Sequence, residues 1–431
     1  MRRAGRRAIA VLAAASLVLA GWALWAWPRE QAVPSASPAA YAATAANLAR
    51  GAYLARAGNC MSCHTARGGA PYAGGRTVHT PFGAIAAPNI TPDPDTGTGK
   101  WSADDFWRAL HNGISRDGRL LYPAFPYPSY TKVSRPDADA LYAWLRTVPA
   151  QRQPSAAPQL RFPYNTQAAL AAWRLLYFRP AVFAPTAAAS TQWNRGAYLV
   201  EGLGHCAACH AGRNAAGASD AAMGGALMPV VGWYAPSLTA NAEAGLGTWS
   251  VPEIAALLQT GTSPRASVVG PMADVVAHSL QHLDETDLAA MAVYLKALPA
   301  TQTAILEKRE KPEKTAQLAQ FIEQGRQVYG RHCIDCHGAN GEGLAPAYPP
   351  LAGNRALTMD MTVNPIRIVL NGGFPPGTAG NPRPYGMPPF SHVLDDAEVA
   401  AVLSYLRASW GNQAAPVSAR EVNRYRGAPV D

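Results

Sequence analysis

Charge is scarce in this chain. Asp, Glu, Lys and Arg make up 15% of its 431 residues, and no basic run interleaved with aromatics occurs in its body. The surface that nucleic-acid binding requires is therefore missing. Cysteine is scarcer still, with six in all. A disulfide framework belongs to small, cysteine-dense secreted domains, and this composition excludes it. Methionine numbers nine, and none lies between His64 and Cys206. Long apolar runs are almost absent. The one exception, Ala8 to Trp27, is 20 residues without a charge, preceded by Arg2, Arg3, Arg6 and Arg7.

The six cysteines fall into three copies of one string, C-x-x-C-H. They are Cys60-Met-Ser-Cys63-His64, Cys206-Ala-Ala-Cys209-His210 and Cys333-Ile-Asp-Cys336-His337. This spacing is the attachment signal for c-type haem. A short turn presents both sulfurs to one porphyrin edge and aims the adjacent imidazole at the iron. A thioredoxin-like pair gives no reason for the histidine. Zinc needs four ligands per site, which three Cys-Cys-His sets supply poorly. The expected cofactors are three covalently bound haems c. Cys60, Cys63, Cys206, Cys209, Cys333 and Cys336 would attach them, with His64, His210 and His337 as proximal iron ligands. Residues 1–30 carry +4 of the formal charge of +9, and the haem carboxylates would offset most of the remaining +5.

The run at 8–27 matches the length of a membrane span, with arginines before it and Trp22, Trp25 and Trp27 at its end. The expectation is an N-terminal transmembrane helix within residues 1–30. It would place the chain in the bacterial cytoplasmic (inner) membrane, with its haem domains in the periplasm. The alternative is a long cleaved signal, with Ala40-Tyr-Ala42 as the cleavage site.

The three motifs sit in a repeat. Gly51-Ala-Tyr53-Leu54, Gly196-Ala-Tyr198-Leu199 and Gly325 to Tyr329 precede them in helical stretches. Loops with Pro88-Asn-Ile90, Pro236-Ser-Leu238 and Pro350-Leu351 follow. Acid-started helices over Asp137–Leu145, Asp284–Leu295 and Asp395–Leu406 close the units. The expected fold is mainly α, with domains at 45–150, 191–300 and 318–412. A connector at 151–190 carries a short amphipathic helix from Thr166 to Phe178, and a charged linker lies at 301–317. The connector reads as packing between the first two domains; the alternative is that it docks a partner or touches a membrane. The layout resembles the class I cytochrome c domain. That resemblance implies that Pro88, Pro236 and Pro350 offer carbonyls to the proximal histidines, although such prolines can also merely shape turns.

The sixth iron ligand separates the domains. Met387, in Tyr-Gly-Met-Pro-Pro, and Met272, in Gly270-Pro-Met-Ala, precede the closing helices of domains three and two. Histidine–methionine ligation is common in cytochromes c and raises the potential. In the first domain the matching place is Phe125, which cannot ligate. Its candidates are His111, on an expected helix Ala103–Asn112, then His79, then an open iron.

Over its full length the chain resembles the triheme cytochrome c subunits of bacterial membrane-bound alcohol, gluconate and aldehyde dehydrogenases. The residues that carry this are the three motifs, Pro71-Tyr-Ala-Gly-Gly75, Pro88-Asn-Ile-Thr-Pro-Asp93 and Asp117-Gly-Arg-Leu-Leu-Tyr-Pro-Ala124, with Asn194-Arg-Gly-Ala-Tyr-Leu-Val200 and Gly270-Pro-Met-Ala273. The resemblance implies an electron-transfer subunit without a catalytic substrate site. A dehydrogenase catalytic subunit would feed it, and ubiquinone or a terminal oxidase would take its electrons. Phe125, Arg161-Phe-Pro-Tyr-Asn and Trp193-Asn-Arg-Gly point to the branch paired with molybdenum-dependent dehydrogenases that have an iron–sulfur subunit. Two alternatives remain: a haem enzyme of peroxidase or thiosulfate type with an open first haem, and a stand-alone tethered shuttle.

Overall fold

The computed structural model describes residues 41–228, 230–241, 244–301 and 315–427, together with Gly21. The first unit holds α1 (Ala45–Ala57), α2 (Ala103–Asn112) and α3 (Arg135–Leu145). A connector carries α4 (Gln167–Tyr177). The second unit holds α5 (Thr191–Glu201), α6 (Val251–Thr260), α7 (Pro271–His278) and α8 (Glu285–Ala297). The third holds α9 (Ala316–His332), α10 (Val363–Asn371), α11 (Asp396–Ala408) and α12 (Ala419–Arg426). Strands are short. β1 (Thr77–Thr80), β2 (Gly83–Ala86) and β3 (Gln159–Leu160) form one antiparallel sheet, and β4 (Ala226–Met228) pairs with β5 (Trp233–Ala235).

Each unit is closed by the same crossing of its first and last helices. It depends on a glycine. A Cβ at Gly51 would sit 2.1 Å from the Ala140 carbonyl oxygen; at Gly196 and Gly325 it would sit 2.0 Å from those of Ala290 and Ala401. Only a residue without a side chain lets the backbones approach so closely.

The middle helices start and stop by local chemistry. Ser102 and Asp105 form a capping box at the start of α2, and Ser250 and Glu253 do so for α6. Left-handed glycines end both: Gly113 at φ 62° and Gly261 at φ 76°.

The first two units share one apolar core, in which Leu54, Trp107 and Leu141 meet Leu199, Ile254 and Leu288. Their contact is reciprocal. The Tyr53 hydroxyl donates to Asp287 and the Tyr198 hydroxyl to Asp137, both at 2.5 Å. Arg50 and Arg195 bind the same carboxylates from within each unit. Hydrogen bonds to charged acceptors contribute about 1.5–3 kcal/mol each. The third unit has Gln327 at the matching tyrosine position and keeps its own core around Ile366, Leu370 and Leu403. It docks on the second through Tyr234 and Ala244 against Met359 and Val363. Asn364 reads the backbone of Tyr234 from both sides, at 2.9 and 2.8 Å.

The expectation of a transmembrane helix is corrected. Among the described residues no helix is long and apolar enough to cross a membrane. The run at 8–27 lies, except for Gly21, outside the described residues, so the inner-membrane placement built on it is withdrawn. Most of the charged linker, residues 302–314, also lies outside them. The mainly α fold with three tandem helical units stands.

The helix crossing and the tyrosine–aspartate contact can each be tested. Gly325→Ala drives a methyl into the Ala401 carbonyl and should lower stability by about 1–3 kcal/mol. Gly330→Ala, on the same helix with nothing within 4 Å, should raise it by about 0.5–1 kcal/mol; thermal melts of the two variants check this. The second test concerns pH. Burial pushes the Asp287 carboxyl up, but hydrogen bonds from Arg195 and Tyr53 outweigh it and hold the group below its ordinary range. A depressed folded value gives stability that is fully present above the unfolded value of about 3.9 and lost as pH falls through the folded one. Hydrogen exchange at the contact of α1 with α8 should therefore accelerate below about pH 4. Asp287→Asn should be faster at pH 7 and lose that acid response.

Candidate functional site

Three short helical turns carry the haem motifs. Cys60–His64 follows α1, Ala207–His210 follows α5, and Ile334–His337 follows α9. None of the six cysteines pairs with another in a disulfide. In each pair the first is half-buried against the core and the second faces outward. Burial pushes the Cys60 and Cys206 thiols up to about 12 and Cys333 up to about 11, with the second cysteine of the motif adding to each.

The histidine rings are held in the same manner. His64 Nδ1 donates to the Pro88 carbonyl at 2.7 Å, and His210 Nδ1 donates to Pro236 at 2.6 Å. A carbonyl can only accept, so Nδ1 carries the proton and Nε2 keeps its lone pair. Burial holds all three imidazoles below their ordinary pKa, His210 at about 4. Neutral imidazole is the form that binds a metal. In the third domain the partner differs from the expectation. His337 Nδ1 donates to Pro349, at 3.1 Å, and not to Pro350. The Pro350 carbonyl is taken by Asn354 Nδ2 at 2.9 Å, and the loop from the histidine is 12 residues against 24 and 26. Two thiols and a neutral, oriented imidazole on one turn fit a covalent haem. Among the described residues no three His, Cys, Asp or Glu converge on a bare metal ion.

The first two motifs lie close together, with Cys60 and Cys206 against one shared core. Cys63 adds to the effect of burial in raising the Cys209 thiol. Helix α7, which carries Met272, packs against the Cys60–His64 turn. Tyr130 donates to the Gly58 carbonyl and sets its ring edge-on to His205.

The distal loops are anchored on the glycines that end the middle helices. Leu121 N–H donates to Gly113 and Val268 N–H to Gly261, both at 2.8 Å. Phe125 and Met272 each lie four residues beyond that anchor, so the two occupy the same place. Met387 exchanges two backbone hydrogen bonds with Gly373, next to the end of α10. Phe125 packs against Tyr130. His111 is buried, stacked 4.6 Å from Trp107, and donates Nδ1–H to the Thr131 carbonyl at 2.8 Å. Burial lowers its pKa. His79 is an exposed residue on the β1–β2 hairpin.

Sequence reasoning missed Arg355. It comes from the third domain, donates to the Ala244 carbonyl of the second at 2.9 Å and lies 5.0 Å from the Trp249 ring. Burial lowers its pKa to about 10, and its charge adds to the burial that depresses His210. Nothing local in Asn354-Arg-Ala-Leu signals a contact 111 residues upstream.

The cytochrome c family model matches residues 48–149, 194–299 and 322–410. The chain belongs to the cytochrome c family. It is a triheme c-type cytochrome with three covalently bound haems, homologous to the cytochrome c subunits of bacterial dehydrogenase complexes. It is 38% identical to the cytochrome c subunit of alcohol dehydrogenase (quinone) from Gluconobacter oxydans, over 95% of this chain and 89% of that one. It is 40% identical to the gluconate 2-dehydrogenase cytochrome c subunit of Pantoea cypripedii, over 88% and 89%. A nicotinate dehydrogenase subunit of Pseudomonas putida is also 40% identical, over 88% of this chain but 32% of that longer protein.

Arg355 yields a test at the second centre. A half-buried cation whose charge reaches His210 would favour the reduced, less positive state of a haem bound there. Arg355→Gln should lower the midpoint potential of the second haem while haem content stays at three; spectroelectrochemical titration reads both.

Proposed function

We propose that this chain takes electrons from a separate dehydrogenase catalytic subunit and delivers them to ubiquinone or a terminal oxidase. The haems, when bound, supply one-electron redox chemistry. The chain's own contribution is placement: paired thiols fix each porphyrin edge, and a carbonyl fixes each proximal imidazole. The observation that carries the reading is the repetition of this arrangement three times in a chain that is similar, over nearly its whole length, to dehydrogenase cytochrome subunits. The finer reading is a molybdenum-dependent partner with an iron–sulfur subunit. Its support is the Arg161-Phe-Pro-Tyr-Asn and Trp193-Asn-Arg-Gly segments and the likeness to the nicotinate dehydrogenase subunit.

The axial ligands belong to the same proposal. Met272 and Met387 are the sixth ligands of the second and third haems, and His111 of the first. The support for His111 is its burial, its committed Nδ1 and the tautomer that leaves Nε2 free. Metal-bound histidines commonly give their other ring N–H to a carbonyl in this way. The exposure of His79 argues against it.

Two measurements test the proposal. Tagged chain purified gently from its native host should carry a dehydrogenase subunit, and alcohols, aldehydes, gluconate or N-heterocycles should reduce its haems only through that subunit. A chain that arrives alone, or oxidises substrate by itself, contradicts it. His111→Ala should convert one low-spin ferric haem to high spin in electron paramagnetic resonance. An unchanged spectrum removes His111 as ligand.

A further inference from the structure

The connector between the first two domains is pinned at several points, yet it holds apolar side chains in water. β3 adds to the sheet edge of β2, and Arg161 N–H donates to the Phe82 carbonyl at 3.0 Å. Gln167 pairs with both backbone groups of Leu120, at 2.8 and 3.3 Å. Trp173 Nε1–H reaches across to the Ala216 carbonyl of the second domain at 2.9 Å. Leu170 and Phe178 take up the buried face. Other apolar side chains are left open: Phe162 is 81% and Leu176 70% exposed, and Tyr164 and Tyr177 are exposed as well.

A chain of contacts joins Tyr164 and Tyr177, the sequence neighbours of Phe162 and Leu176, into one ridge. Tyr164 packs on Phe82 at 4.5 Å, and Phe82 abuts Gly217. The neighbouring Ala216 holds Trp173, which meets Tyr177 at 5.7 Å. The Ala216–Gly217 turn follows His210 by only a few residues, so the ridge runs beside the second haem motif. Nothing in haem attachment or in the domain cores requires it. A rigid apolar centre of this kind, with aromatics and arginines, is the composition of a protein interface.

Charge selects the occupant. Residues 151–190 contain Arg152, Arg161, Arg174 and Arg179 and no acidic residue. A second copy of this chain would set cations against cations. Arg174 turns inward to the Asn112 carbonyl and the Tyr127 and Phe178 rings, whereas Arg152, Arg161 and Arg179 are exposed. Three exposed arginines and these aromatics are matched by an apolar patch rimmed with carboxylates. We propose that this ledge is the docking face for an acidic-rimmed, apolar surface of the dehydrogenase catalytic subunit. The proposal rests on the reading of the chain as a dehydrogenase subunit and adds where that subunit sits, beside the first two haem centres.

The test uses full-length, haem-loaded chain and the catalytic subunit that co-purifies with it. Phe162→Ser/Leu176→Ser should weaken their reassociation by about tenfold or more, as loss of interface anchors does. Haem content and visible spectrum should not change. Arg179→Glu should also weaken binding and flatten its salt dependence, whereas Arg179→Lys should not. A photo-crosslinker at 162 or 176 should join the chain to an acidic peptide of the catalytic subunit. Wild-type affinity in the Ser and Glu variants overturns the docking face and leaves the relay reading standing. Crosslinks to a second copy, or loss only of binding to phosphatidylglycerol vesicles, overturn it likewise. If the unmodified chain binds no catalytic subunit at all, the relay reading falls with it.

Discussion

Three glycines set the frame of this molecule. At Gly51, Gly196 and Gly325 the first helix of each unit touches the backbone of the last, at a separation no side chain would permit. That contact fixes where each first helix ends, and the haem motif begins within a few residues of that end. A turn of C-x-x-C-H can be written anywhere in a chain. It becomes a haem site when the helices on either side are locked and the loop after it returns a carbonyl to the histidine.

On this common frame the units have been joined in two ways. The first two share a core and exchange tyrosine–aspartate hydrogen bonds, so their haem motifs lie close together as parts of one body. The third keeps its own core and lacks the tyrosine. It attaches instead through Asn364 and Arg355, inserted into the second domain. The second domain therefore touches both others, the position an intermediate carrier needs. Its histidine is also the one that feels a neighbour's cation, Arg355.

Much of this was legible before the structure. The motif spacing is chemical, so the three attachment sites could be read directly. The helix over 103–112 was legible because Ser102, Asp105 and Gly113 state its ends locally. The equivalence of Phe125 and Met272 followed from counting, and the shared glycine anchors agree with it. Contacts made at long range left no such trace. Tyr53 reads as one more aromatic until Asp287 is found against it. The choice of Pro349 over Pro350 depends on Asn354, which competes for the second carbonyl through a side chain no spacing rule describes. The membrane expectation came from length and charge in residues 8–27, and the described part of the molecule contains no helix of that kind.

The account depends on three haems held by one chain. Intact mass under denaturing conditions, with haem staining of the same band, measures this directly. The account predicts the polypeptide mass plus three haems, falling to two in a variant with both Cys206 and Cys209 replaced by alanine. A chain with two haems in the unmodified protein, or with zinc in place of any of them, would contradict it.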